Sequence, residues 1–265
     1  MFFIQRFTCT RKGLPKTINY WKKHNIQVIL DYTNENKKNV DKNYQEILDL
    51  IKHYPNHHIA LKLSSINFNT NFLQNIMNKS IKKNCKILID AENFEIQDQI
   101  EKLTNDSLEI YNKGNVHVYK TYQMYRNDYF DILKKDLEKE RDFSLGVKLV
   151  RGAYYNQDYK HGILFPTIEE THQNYNNAIN LFLKKRQKND MLICATHNEK
   201  SISMAQNVKN IEFAQLMGMH DKFSKNLAKD HVVYKYIPYG NFVDTIPYLI
   251  RRLYENYPMI TNLWK

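Results

Sequence analysis

Glycine, proline and cysteine are all scarce in this chain of 265 residues, at seven, six and three copies. With so few glycines, neither a Gly-x-Gly-x-x-Gly nor a phosphate-loop signature occurs, so a Rossmann-type dinucleotide site and a standard nucleotide triphosphatase are not expected. Cys9, Cys85 and Cys194 are far apart and form no Cys-x-x-Cys pair. That argues against a disulfide framework or a cysteine zinc site, and a reducing compartment fits best. No second His or Cys sits at ligand spacing from His197, so no metal is expected. No window approaches the roughly 18 consecutive apolar residues of a membrane-spanning helix, and the chain reads as soluble or at most peripheral. There is also no Gly/Ser-rich linker, low-complexity block or sequence repeat.

What the chain has in excess is positive charge. Its 39 Lys and Arg against 28 Asp and Glu give a formal charge of +11. Such a balance favours anionic partners, whether nucleic acid, phospholipid head groups or a phosphorylated cofactor. The abundance of Lys and Asn throughout, as in Asn34, Asn36, Lys37, Lys38 and Asn39, also fits AT-rich coding bias on a solvated surface. Residues 1–30 lack acidic side chains and carry Arg6, Arg11, Lys12, Lys16, Lys22 and Lys23. That composition suits an organelle presequence. It suits equally an amphipathic helix from Pro15 to His24, with Ile18 and Trp21 three apart, leading into a first strand.

Short apolar runs recur near 27–31, 59–63, 86–90, 116–121, 145–150, 191–195, 211–216 and 232–237. Segments with helical apolar spacing lie between them, for example Leu48, Ile51 and Tyr54, or Ile96, Ile100, Leu103 and Leu108. Eight strand–helix pairs predict an α/β chain folded as a (β/α)8 TIM-like barrel over 26–265, with a short helical lead-in over 1–25. An open doubly wound sheet is the alternative. Polar residues gather near the carboxyl ends of the runs: Asp31, Lys62, Asp90, Lys120, Lys148, His197, Gln215 and Tyr236. That end of such a barrel holds the active site. Thr167-Ile-Glu-Glu170 after Pro166 has capping-box spacing and predicts a helix start.

Gly146-Val-Lys-Leu-Val-Arg-Gly-Ala-Tyr154 combines a buried-type strand with an Arg-Gly-Ala turn, which sets bare backbone N–H groups beside fixed positive charge. This is the pattern of a loop that binds an anionic cofactor. Thr196-His197-Asn198, after the sixth run, supplies a second set of donors, although His197 reads equally as a hydrogen-bonded structural residue. Tyr248, Arg251, Arg252 and Glu255 fall at i, i+3, i+4 and i+7 and share one helix face. Paired arginines suit bidentate capture of a small carboxylate. A solvated face with Glu255 as ion-pair partner is the other reading of the same spacing.

Ten segments in order resemble the proline dehydrogenase family, across roughly residues 26 to 256. They are Leu30-Asp-Tyr-Thr-Asn-Glu35, Leu61-Lys-Leu-Ser64, Ile89-Asp-Ala-Glu92, Thr121-Tyr-Gln123 and Lys148-Leu-Val-Arg-Gly-Ala-Tyr154, followed by Pro166-Thr-Ile-Glu-Glu-Thr171, Ala195-Thr-His-Asn198, Phe213-Ala-Gln-Leu-Met-Gly-Met219, Tyr236-Ile-Pro-Tyr-Gly240 and Pro247-Tyr-Leu-Ile-Arg-Arg252. The wording at 148–154 and 166–171 is closer to the eukaryotic, monofunctional branch, and the length given leaves no room for the aldehyde dehydrogenase domain of bifunctional bacterial members.

The resemblance implies FAD-dependent oxidation of L-proline to 1-pyrroline-5-carboxylate. By family position, Asp90 and Lys148 belong to the catalytic centre. Lys62, Leu216, Tyr236, Tyr248, Arg251 and Arg252 line the proline pocket, with the two arginines on its carboxylate and Leu216 against its ring. Ala91, Lys120, Val150, Arg151, Gly152, Ala153, Tyr154, Thr196, His197 and Asn198 match flavin contacts. Lys148 stands where bacterial members usually carry Arg, and Lys120 where they carry Gln. The family also implies a quinone electron acceptor, peripheral membrane contact and no nucleic acid. Its location would be the mitochondrial inner-membrane face if the source is eukaryotic, and otherwise cytoplasmic or peripheral to a membrane. Two readings remain beside it: a flavin-free barrel lyase with Lys62, Lys120 or Lys148 as Schiff-base amine, and a basic nucleic-acid-binding protein.

Overall fold

The computed structural model describes residues 6–33, 39–208, 211–241 and 245. Its eight strands are β1 (Gln27–Tyr32), β2 (His58–Leu61), β3 (Lys86–Ile89), β4 (Val118–Gln123), β5 (Gly146–Val150), β6 (Met191–Ala195), β7 (Ile211–Leu216) and β8 (Val233–Tyr239). They form a closed barrel in chain order, the (β/α)8 architecture expected from the apolar runs. Nine helices occur among the described residues: α1 (Leu14–Lys22), α2 (Val40–His53), α3 (Thr70–Lys82), α4 (Phe94–Tyr111), α5 (Tyr129–Glu138), α6 (Tyr155–Asp158), α7 (Ile168–Lys185), α8 (Glu199–Ala205) and α9 (Asp221–Leu227). Among the described residues no helix is long and apolar enough to cross a membrane.

The chain falls into two compact units, Met1–Cys85 with Ala214–Lys265, and Lys86–Phe213. In the first, β1 pairs in parallel with both β2 and β8. The segment before α1 adds to the end of β8: Cys9 N–H donates to Pro238 O (3.2 Å), and Gly240 N–H donates to Cys9 O (3.2 Å). Tyr239, buried on the outer face of β8, donates its hydroxyl to Glu46 of α2 (2.9 Å). That partner is needed, because a buried phenol without one would lose much of what its ring gains by leaving water.

In the second unit every residue of β4 is buried. Parallel strands covered by helices on one face and by the barrel interior on the other behave in this way, so they read as continuous apolar runs and not as alternating ones. The side chain of Asn112, wholly buried, fixes the start of β4 against the approach to β5. Its Nδ2 donates to Val118 O and Ser144 O, and its Oδ1 accepts from His117 and Val118 N–H. The resulting register sets Thr121 opposite Lys148 and Gln123 opposite Val150. The predicted capping box forms at the start of α7, with Thr167 and Glu170 satisfying each other's backbone N–H.

Gly146 opens β5 at the tightest point of this pairing. A Cβ there would overlap the Val118 carbonyl oxygen and Val116 Cγ1, and a backbone oxygen held in a ladder has little room to give. Gly146→Ala is therefore expected to lower unfolding free energy by about 1–3 kcal/mol, the cost of overpacking a well-filled site. A urea denaturation midpoint equal to that of the unaltered chain would contradict this.

Candidate active site

The second unit brings together two groups of charged residues near the ends of β3, β5 and β6. The first is Asp90 with Lys148. Both are buried, and Lys148 Nζ donates to Asp90 Oδ1 at 2.5 Å. The end of β3 is braced by β4, where Thr121 Oγ1 donates to Ile89 O (2.7 Å) and Gln123 Nε2 to Glu92 O (2.9 Å). Gln97 Oε1 accepts Glu92 N–H from the other side (2.8 Å). Asp90, Ala91 and Glu92 are thus held in shape by neutral hydrogen bonds, and Lys148 meets a carboxylate whose position is already set.

The second group surrounds Arg151. Its guanidinium is largely buried and lies 4.4 Å from the centroid of the Tyr175 ring. Its Nε donates to His172 Nδ1 (2.8 Å), one terminal nitrogen to Thr196 Oγ1 (2.5 Å), and the other to Ser201 Oγ (3.1 Å). All three acceptors are neutral. Burial lowers the Arg151 pKa, and among the described residues no carboxylate opposes that shift. Other buried cations in this unit differ: Lys120 faces Asp136, Arg126 faces Asp128, Arg141 faces Asp190, and Lys148 faces Asp90. A guanidinium has five N–H donors. Three are engaged by described residues, which leaves one hydrogen on each terminal nitrogen for an anion such as phosphate or carboxylate.

The turn after Arg151 adds to this donor set. Among the described residues neither Gly152 nor Ala153 N–H donates to a protein atom. The turn is held from beneath by Tyr125, whose N–H donates to Arg151 O (2.7 Å), while Met124 N–H donates to Val150 O (2.8 Å). Gly152 has φ +138, and the space its Cβ would fill is taken by the Tyr125 ring. That ring is fixed in turn, because its hydroxyl donates to the buried Asp158 (2.5 Å), which also accepts Phe94 N–H at the start of α4 (2.8 Å). Tyr154 is buried, and its carbonyl accepts the N–H groups of Gln157 (3.0 Å) and Asp158 (2.9 Å) in α6.

Two residues expected at the carboxyl-end ring point elsewhere. Lys120, expected at the cofactor, turns its amine toward helices α4 and α5, donating to Asp136 Oδ2 (2.7 Å) and Asn105 Oδ1 (3.0 Å), with Glu101 at 3.5 Å. The reason is strand parity: Thr121, not Lys120, is the register partner of Lys148, and neighbouring strand residues face opposite ways. Gln215 likewise meets Ser224 of α9. Asn198 N–H donates to Thr196 Oγ1 (3.0 Å), and its side-chain oxygen caps α8 by accepting Ser201 N–H (3.1 Å). His197 follows β6 beside them. Thr121 and Gln123, which the sequence reading quoted only within a family segment, and His172 and Ser201, which it did not single out, are site-building residues. Counting by twos from Lys148 across the ladder identifies the first pair; nothing in the sequence singles out the second.

In the first unit, Lys62 Nζ donates to the buried Asp31 (2.8 Å), at the ends of β2 and β1. Tyr236 is the one residue of β8 that is not fully buried. Its carbonyl accepts Met217 N–H (3.0 Å), just after the partly exposed Leu216. The loop from Leu216 to α9 is tied down by Lys235, on the opposite face of β8. Its amine donates to Met219 O (2.7 Å), pairs with Asp221 (2.8 Å) and lies 5.2 Å from the Trp21 ring centroid. Burial pulls this amine down to about 8, against the opposing effect of Asp221. Tyr248, Arg251 and Arg252 lie outside the described residues.

Residues 14–261 match the family profile described as proline dehydrogenase. A relative named proline dehydrogenase 1, mitochondrial, from Dictyostelium discoideum is 37% identical over 195 residues, covering 64% of this chain and 34% of that protein. A human protein of the same name is 32% identical over 205 residues, covering 67% of this chain and 33% of its own length. A hydroxyproline dehydrogenase from Xenopus laevis is 31% identical over 216 residues, covering 73% of this chain and 46% of that protein. The chain therefore spans about a third to a half of the length of these relatives. In fold it is similar to proline utilization A from Bdellovibrio bacteriovorus, crystallised after inactivation by N-propargylglycine, with a TM-score of 0.85 at 17% identity over 94% of this chain and 32% of that one. The profile match over nearly the whole chain, with relatives above 30% identity, leads to one conclusion: this chain belongs to the proline dehydrogenase family.

Proposed function

We propose that this chain is an FAD-dependent dehydrogenase that oxidises L-proline to 1-pyrroline-5-carboxylate. Family membership supports the reaction. The observation that carries the cofactor is Arg151, a largely buried guanidinium that among the described residues has only neutral partners and two hydrogens to spare, followed by two backbone N–H groups that donate to no described residue. A buried cation without a counter-charge is costly, and the pyrophosphate of a flavin dinucleotide supplies that charge. Arg151, Gly152 and Ala153 would hold it, with Thr196 positioning Arg151 and Asn198 fixing the α8 end of the loop. Val150, Tyr154, Ala91 and His197 keep the flavin-contact roles that their family positions imply.

When bound, FAD supplies the two-electron acceptor for a hydride leaving proline C5. Lys148, held by Asp90, would supply a fixed positive charge to stabilise the negative charge that grows on the flavin during reduction, a role that requires it to be positioned beforehand. Arg251 and Arg252 hold the proline carboxylate, Leu216 packs on its ring, and Lys62 and Tyr236 complete the pocket. Binding proline in one orientation removes the entropic cost of bringing C5 into line. As the hydride leaves, the nitrogen lone pair forms the C=N bond and the proton of the amine passes to solvent water. The chain's cationic surface and family position suit reoxidation by a quinone at a membrane face, and relatives named mitochondrial make the inner mitochondrial membrane the expected place in a eukaryote.

Two outcomes test this reading. Anaerobic L-proline should bleach the flavin absorption of the purified chain, with trans-4-hydroxyproline a poorer substrate by kcat/KM, as Tyr236 and Tyr248 at the family's pocket positions would imply; a flavin indifferent to proline refutes the activity. Arg251→Ala or Arg252→Ala should raise KM for proline at least about tenfold, as loss of a bidentate charge-assisted contact implies, while flavin stays bound. An unchanged KM removes the clamp.

A further inference from the structure

We propose that His172 is the positioning residue that aims the Arg151 guanidinium, and that protonating His172 loosens the chain's hold on its anionic cofactor. This rests on reading Arg151 as the ligand of the cofactor phosphates. The geometry fixes the state of the ring. Arg151 Nε–H can only donate, so His172 Nδ1, 2.8 Å away, must present a lone pair, and the imidazole is neutral with its hydrogen on Nε2. His172 projects from α7, which the Thr167–Glu170 capping box anchors one turn earlier. It therefore orients Arg151 from a fixed helix.

Among the described residues, the charged groups that act on His172 are Arg151 from the end of β5, Lys200 from α8 and Glu169 from its own helix. Burial and the two cations hold its pKa below the ordinary histidine value, against the pull of Glu169. The ring is then neutral at physiological pH and gains a proton only in acid. A proton on Nδ1 sets two donors and two positive charges face to face at the distance of a hydrogen bond. Arg151 must swing away, and the two hydrogens left on its terminal nitrogens lose their aim.

A bare Coulomb argument predicts the opposite sign, since an imidazolium adds positive charge near a phosphate. The placement decides against it: His172 meets Arg151 at Nε, whereas the free hydrogens are on the terminal nitrogens. The pyrophosphate diester of FAD keeps its charge throughout the range, so the ligand itself contributes no acid dependence.

The test follows flavin released on dilution of the FAD-loaded full chain, read by its fluorescence, from pH 8 down to pH 5. The FAD dissociation constant should be flat near neutrality and rise by up to about tenfold per pH unit once His172 titrates, the limit for one proton. In His172→Gln, whose amide oxygen accepts from Arg151 but does not titrate, the constant should stay within about threefold of the unaltered chain at pH 8 and lose the acid rise. Nitrogen NMR of the His172 ring should show the Nε2–H tautomer at pH 7. Acid-independent or acid-tightened retention, an acid rise that survives in His172→Gln, or an Nδ1–H ring at pH 7 overturns the proposal. If His172→Gln does not fold, the ring tautomer and the acid profile of the unaltered chain decide. A chain that holds no FAD at pH 8 instead overturns the cofactor reading beneath it.

Discussion

The desolvated guanidinium of Arg151 is the constraint from which the rest of the site follows. Removing a cation from water costs several kcal/mol unless charge or hydrogen bonds replace the lost hydration. Elsewhere in the same unit the fold meets that cost with carboxylates, as in the bidentate Arg141–Asp190 pair, where the nearly inaccessible Asp190 also accepts two backbone N–H groups. At Arg151 it uses two hydroxyls, a neutral imidazole and the face of Tyr175. Those partners hold the side chain in place without neutralising it. A site built this way keeps its charge for an incoming anion, and the adjacent Gly152 and Ala153 N–H groups point to the same kind of ligand.

Position matters as much as charge, and it is set by packing some distance from Arg151. Asn112 fixes the β4–β5 register, the register carries Tyr125 beneath the Arg151–Gly152 turn, and Asp158 holds the Tyr125 hydroxyl. The absence of a Cβ at Gly152 thus serves the Tyr125 ring as well as the approach of a ligand to the backbone. Pre-organisation of this kind lets fixed charges act at full strength when a substrate arrives. The Lys148–Asp90 pair obeys the same logic, with Thr121 and Gln123 holding the β3 end against which Lys148 is placed.

The barrel was legible because each strand is a compact apolar run, and each intervening helix shows its own period. The Arg-Gly-Ala turn and the Thr167 capping box were legible because their chemistry is local. Lys120 was misplaced for a physical reason: β4 is buried on both faces, so polarity does not reveal which residues look inward, and a lysine satisfied by Asp136 looks the same in sequence as one facing a ligand. Gln215, held by Ser224, is the same case. His172 and Ser201 were invisible because they reach Arg151 from separate helices, and no spacing rule links them to β5. Tyr248, Arg251 and Arg252 lie outside the described residues, so their shared helix face rests on spacing and family position alone.

The most direct test of the account is the flavin content of Arg151→Met, which keeps the length and packing of the side chain but removes its charge and its donors. The account predicts a chain that folds with an unchanged far-ultraviolet circular dichroism spectrum, yet is purified without flavin or binds FAD at least about a hundredfold more weakly, as loss of a buried charge-assisted bidentate contact implies. A folded Arg151→Met chain that retains FAD at the affinity of the unaltered protein would contradict it.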